Sequence, residues 1–130
     1  MAAQARQADA RLRAKMAKLV RVRVLSSRDL GQGIALVFEI TNRSAKPLTQ
    51  IGGAMEVRRV GHSARIGLIE LHLKITVTPH ARVRIERDMW YLRFGEDAET
   101  MRAAARAPKR FTITIRQLVY ADGTKVGRVL

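Results

Sequence analysis

Between residues 69 and 77 apolar and polar side chains alternate without a break. Ile69, Leu71, Leu73, Ile75 and Val77 take one set of positions, and Glu70, His72 and Lys74 take the other. Successive side chains of an extended chain point to opposite faces, so this spacing makes a strand with one buried and one wetted side; on a helix it would scatter the same residues around the circumference. The pattern recurs. Val20, Val22 and Val24 alternate with Arg21 and Arg23, and Ile34, Leu36, Phe38 and Ile40 alternate with Ala35, Val37 and Glu39. Val83 and Ile85 alternate with Arg82, Arg84 and Glu86, a pattern that continues less cleanly through Trp90 to Phe94, and Phe111, Ile113 and Ile115 open a last strong strand before an Asp122-Gly123 turn. A third strand is expected over residues 48–59, where Gly52-Gly53 marks a bulge or bend.

Turn chemistry separates these runs. Ser26, Ser27, Arg28 and Asp29 with Gly31-Gln32-Gly33 read as a loop, as do residues 42–47, 60–63 and 78–81. Two segments depart from period two. Over residues 2–18 Ala5, Ala8, Leu12, Met16 and Leu19 recur at intervals of three and four, a narrow apolar helical stripe opposite a basic face that helps only if it docks. Residues 96–106 read as a short helix with acids in its first turn and arginine in its last, stopped before Pro108.

Strands joined mostly by turns argue against βαβ units. The expected fold is mainly β: an antiparallel immunoglobulin-like β-sandwich with an N-terminal basic helix and one short late helix. Residues 1–18 form a helical leader or tether and residues 19–130 the sandwich, with Phe38, Trp90 and Ile113 in its core. The 130-residue length fits one domain.

Charge is the compositional outlier: 25 Lys and Arg against 11 Asp and Glu give +14, a field that attracts polyanions without selecting among them. The chain has no cysteine, which removes disulfides, thiolate metal sites and cysteine nucleophiles. The longest strictly apolar run, residues 34–38, is far below the ~20 residues of a spanning helix.

Residues 35–48, with the strand Ala35-Leu36-Val37-Phe38-Glu39-Ile40, the turn Asn42-Arg43-Ser44 and the pair Lys46-Pro47, followed by Ile51-Gly52-Gly53-Ala54-Met55-Glu56-Val57, resemble the strand-and-turn pattern of FxLYD-like domains. Residues 111–125 look like the closing strand and Asp-Gly-Thr turn of the same domains. The two blocks cover about a third of the chain. It departs from the pattern at Arg58-Arg59-Val60-Gly61, where an acidic turn is usual, and in its basic leader. The resemblance implies an immunoglobulin-like sandwich of the bacterial cell envelope or a lipoprotein, located in the periplasm or envelope, with residues 1–18 a tether left after removal of a signal or lipidation segment; a cytoplasmic chain is the alternative.

No catalytic, cofactor or metal signature emerges. Gly31-Gln32-Gly33 lacks the third glycine and the following helix of a nucleotide loop. His62, His72 and His80 have no metal-ligand spacing, and Glu70 beside His72 is what a wetted strand face looks like. Two binding surfaces are expected instead. Leu12, Met16 and Leu19 offer a helical stripe, or a sheet edge offers its backbone, to a protein partner. Arg11, Arg13, Lys15, Lys18, Arg21 and Arg23, joined by Arg82 and Arg84 on an outward face, offer charge to nucleic acid or anionic lipid, without an aromatic stacking platform.

Overall fold

A computed structural model describes residues 2–30, 32–61, 65–91, 93–94 and 108–127. The alternating segments form strands. After α1 (Ala2–Leu19) come β1 (Val20–Asp29), β2 (Gly33–Asn42), β3 (Leu48–Arg59), β4 (Arg65–Val77), β5 (Arg82–Trp90), the two-residue β6 (Arg93–Phe94), β7 (Lys109–Tyr120) and β8 (Lys125–Gly127). They make two antiparallel sheets, β1-β2-β5 and β6-β4-β3-β7-β8. The chain changes sheet after β2, after β4 and again after β5, so the two sheets form an antiparallel β-sandwich.

One apolar core joins the sheets. Ile34, Leu36, Phe38 and Ile40 of β2 meet Ile51, Met55 and Val57 of β3 and Ile66, Ile69, Leu71, Leu73 and Val77 of β4, all essentially inaccessible. β2 and β3 each have a neighbour on both sides, which is why their inward rows are sealed. The expected bulge is present: the β3–β7 register slips between Gly52 and Gly53. A Cβ on Gly53 would run into the Thr114 carbonyl oxygen, so glycine is what allows β7 to pass this close.

Asn42 ends β2 and ties the layers together. Its side-chain amide donates to the carbonyls of Lys46 (2.8 Å) and Val77 (2.9 Å), the latter at the end of β4 in the other sheet. Its Oδ1 accepts from the Ser44 amide (3.0 Å) and hydroxyl (2.5 Å), and its backbone N–H donates to Ala81 C=O (2.9 Å). Buried polar groups persist when each donor and acceptor is satisfied.

Several expectations are corrected. Trp90 is 62% exposed: counted by twos from Val83, position 90 falls on the outward row, and the indole lies over Gly33, its register partner, where a Cβ would collide. Phe38 is fully buried, whereas Ile113 is only half-buried. β1 does not stop at Leu25; a register shift between Val24 and Ser26 lets it continue through Ser26, Ser27, Arg28 and Asp29, paired to β2 where a loop was expected. The expected late helix over residues 96–106 lies outside the described residues. Among the described residues, no helix is long and apolar enough to cross a membrane.

Candidate functional site

The end of α1 is built into the domain. Met16 is 1% exposed and belongs to the core with Val20, while Leu12 and Leu19 are half-buried against it. Of the three residues expected to anchor a partner, Met16 is therefore spent on the chain's own core, while Leu12 and Leu19 keep part of their surface accessible. Helices leave their last carbonyls unpaired, and here Arg43 takes two: its backbone N–H donates to Leu19 C=O (2.8 Å) and its Nη1 to Ala17 C=O (3.4 Å). The helix thus docks on the turn that Asn42 organises. Arg11, Arg13, Lys15 and Lys18 remain exposed.

Strand register brings the four sheet arginines together. Across β1-β2-β5, Arg21 faces Thr41 and Thr41 faces Arg82; in the next same-face rung Arg23 faces Glu39 and Glu39 faces Arg84. All four arginines are exposed. The one carboxylate among them, Glu39, has a side chain only 14% accessible and lies 3.8 Å from Arg23 Nε and 3.9 Å from Arg82 Nε. Four guanidinium groups around one carboxylate leave a net positive patch. The other end of the same face is mixed in charge, with Glu86 and Asp88 opposite Val37 and Ala35 from β5 and Arg28 opposite Ala35 from β1. Trp90 lies six residues beyond Arg84, about 20 Å at strand rise, so it offers the patch no stacking platform.

A third feature was not legible in the sequence. β7 has twelve residues and β8 three, and β8 pairs only with Gln117, Leu118 and Val119. Among the described residues nothing pairs with the outer edge of β7 over residues 109–116. Among the same residues β1 is likewise an edge, bonded only to β2. Two adjoining open grooves run between these edges. One, about 540 Å³, lies beside Met16, Val20, Val22, Ile113 and Ile115, and the other, about 430 Å³, beside Val22, Val24, Phe111 and Ile113. Val22, Val24, Phe111, Ile113 and Ile115 point toward the core yet remain half-buried, whereas their cross-strand partners Ile40, Phe38, Val57 and Met55 are sealed. The core is open along this side. Among the described residues its rim is basic, with Arg13, Arg21, Arg43, Arg23, Lys109 and Arg110 and no acid lining it.

The β7–β8 turn is held by hydrogen bonds to Asp122 and by its ion pair with Lys46. Asp122 accepts from the Thr124 amide (2.9 Å) and lies 3.0 Å from Lys46 Nζ. The Thr124 hydroxyl and amide, with Lys46, hold its carboxyl well below the usual carboxylate range.

Glu70 and His72 are both exposed on the outer face of β4, and His80 sits exposed in a turn with φ 62°; His62 and Gly31 lie outside the described residues. Among the described residues no cluster of three or more His, Cys, Asp or Glu is placed to hold a metal ion. Comparisons with protein-family models, curated proteins and solved structures found no match.

Proposed function

We propose that this chain is a non-enzymatic interaction or scaffolding module of the bacterial cell envelope that contacts a protein partner through a sheet edge. The observation carrying this reading is the seam between β1 and β7, where a strand edge unpaired among the described residues lies over five core-facing apolar side chains left half-buried. Unpaired strand edges are templates for another chain. α1 borders the same seam through Arg13, Met16 and Ala17, so the helix frames the contact. The envelope setting rests on the likeness of residues 35–57 and 111–125 to FxLYD-like domains. A photo-crosslinking residue replacing Thr112, exposed on β7, is expected to yield protein adducts in cells, and the same probe at Thr76, exposed on β4, is not. Adducts at neither position, or equally at both, contradict this reading.

A second reading is favoured by the register that gathers Arg21, Arg23, Arg82 and Arg84 around Glu39: a polyanion surface for nucleic acid or anionic lipid. Phosphate contacts release counterions, so oligonucleotide affinity must fall steeply between about 50 and 200 mM salt. Binding flat across that range removes this reading.

A further inference from the structure

We propose that the β1/β7 seam binds an extended peptide segment in which apolar residues alternate with acidic ones, added to β7 as a further strand. The inference deepens the interaction reading above and rests on it. Three observations specify the guest.

The first is backbone. In an antiparallel sheet alternate residues turn their N–H and C=O groups to opposite sides. With β3 on one side of β7 and, among the described residues, β8 pairing only with Gln117, Leu118 and Val119, about four of residues 109–116 direct their backbone groups into the seam. A guest strand in line with β8 runs antiparallel to β7.

The second is the floor. Phe111, Ile113 and Ile115 stand at alternate positions of β7, with Val22 and Val24 facing them from β1. A guest pairs with this row only by placing an apolar side chain at every second residue. The third is charge. Between those residues its side chains face outward, beside Arg110 and Arg116 on β7 and near Arg21 and Arg23 on β1, and among the described residues no acidic one lines either groove. Opposite charges directly across a strand pair are favourable and like charges are not, so the guest's polar positions are acidic.

The test uses the full chain and a fluorescein-labelled ten-residue peptide alternating Val or Ile with Glu, followed by anisotropy. Saturable binding is expected, weakened at least about tenfold when Lys replaces Glu. Two further peptides, N-methylated at backbone positions of one parity or the other, separate strand addition from charge attraction. One parity blocks pairing and costs at least about tenfold, while the other is tolerated. On the protein side, Lys109→Glu with Arg110→Glu is expected to weaken binding about tenfold with unfolding midpoint unchanged. The N-methylated pair keeps the test decisive if that variant fails to fold. No binding, tolerance of both methylated peptides, or equal binding of a thymidine decanucleotide that displaces the peptide overturns the proposal. Adducts at position 112 without peptide binding reject the acidic strand and leave the interaction reading standing; loss of both rejects both.

Discussion

Replacing Asn42 with Asp changes one NH₂ into an oxygen at constant shape and isolates what the buried amide does. The orientation of the amide is fixed by its neighbours: the Ser44 N–H can only donate, so Oδ1 faces it, and Nδ2 faces the carbonyls of Lys46 and Val77 at 2.8 and 2.9 Å. In Asn42→Asp the Ser44 contacts survive while both donated bonds become oxygen facing oxygen. A buried acceptor deprived of its partner costs about 1–3 kcal/mol, so two give roughly 2–6 kcal/mol, a large share of a domain's usual 5–15 kcal/mol. The Val77 contact joins the two sheets, so the loss loosens the layers as well as the turn. Urea unfolding at pH 7, followed by far-UV circular dichroism, measures it. Asn42→Ala, which removes the bonds and leaves room for water, is expected to be no worse than Asn42→Asp. An Asn42→Asp protein within about 0.5 kcal/mol of the parent refutes the reasoning, because that is the scatter of ordinary surface changes.

Truncating Met16 to Ala should cost about 2–4 kcal/mol, comparable to a mid-core truncation; a cost below about 0.5 kcal/mol in urea unfolding contradicts the docking of α1. Tyr91 is 7% exposed, and burial, with the Asp29 charge adding, pushes its hydroxyl from 10.0 up to about 12. Because the folded-state value is the higher, the contribution is fully present below pH 10 and is lost as pH rises through 12. The parent should therefore lose up to about 2–3 kcal/mol more than Tyr91→Phe across that window, and parallel stability curves for the two proteins exclude it.

The strands were legible because burial on one face imposes period two, and β2, β3 and β4 obey it through Phe38, Met55 and Leu71. Trp90 was misplaced by its hydrophobicity, although parity counted from Val83 puts it outside. The continuation of β1 past Leu25 was hidden because a bulge carries Ser26, Ser27, Arg28 and Asp29 into the sheet with no apolar signal, which an edge strand tolerates. The arginine rungs were half legible: Arg21 with Arg23 and Arg82 with Arg84 share parity, but Glu39 between them follows from strand order. The seam depends wholly on which strands become neighbours. Val22, Val24, Phe111 and Ile113 look like ordinary inward residues until β1 and β7 prove to be edges, and the basic residues flanking them were the only hint.

A partner strand can pair with the outer edge of β7 over residues 109–116 only if that edge is open in the free protein. Residue-resolved amide hydrogen exchange tests it directly. Alternation is expected along 109–116, with slow amides bonded to β3 and fast ones facing the seam, and the fast set slows when the Val/Ile–Glu peptide is added. Uniformly slow amides along 109–116 in the free protein, or fast amides left unchanged by saturating peptide, would contradict it.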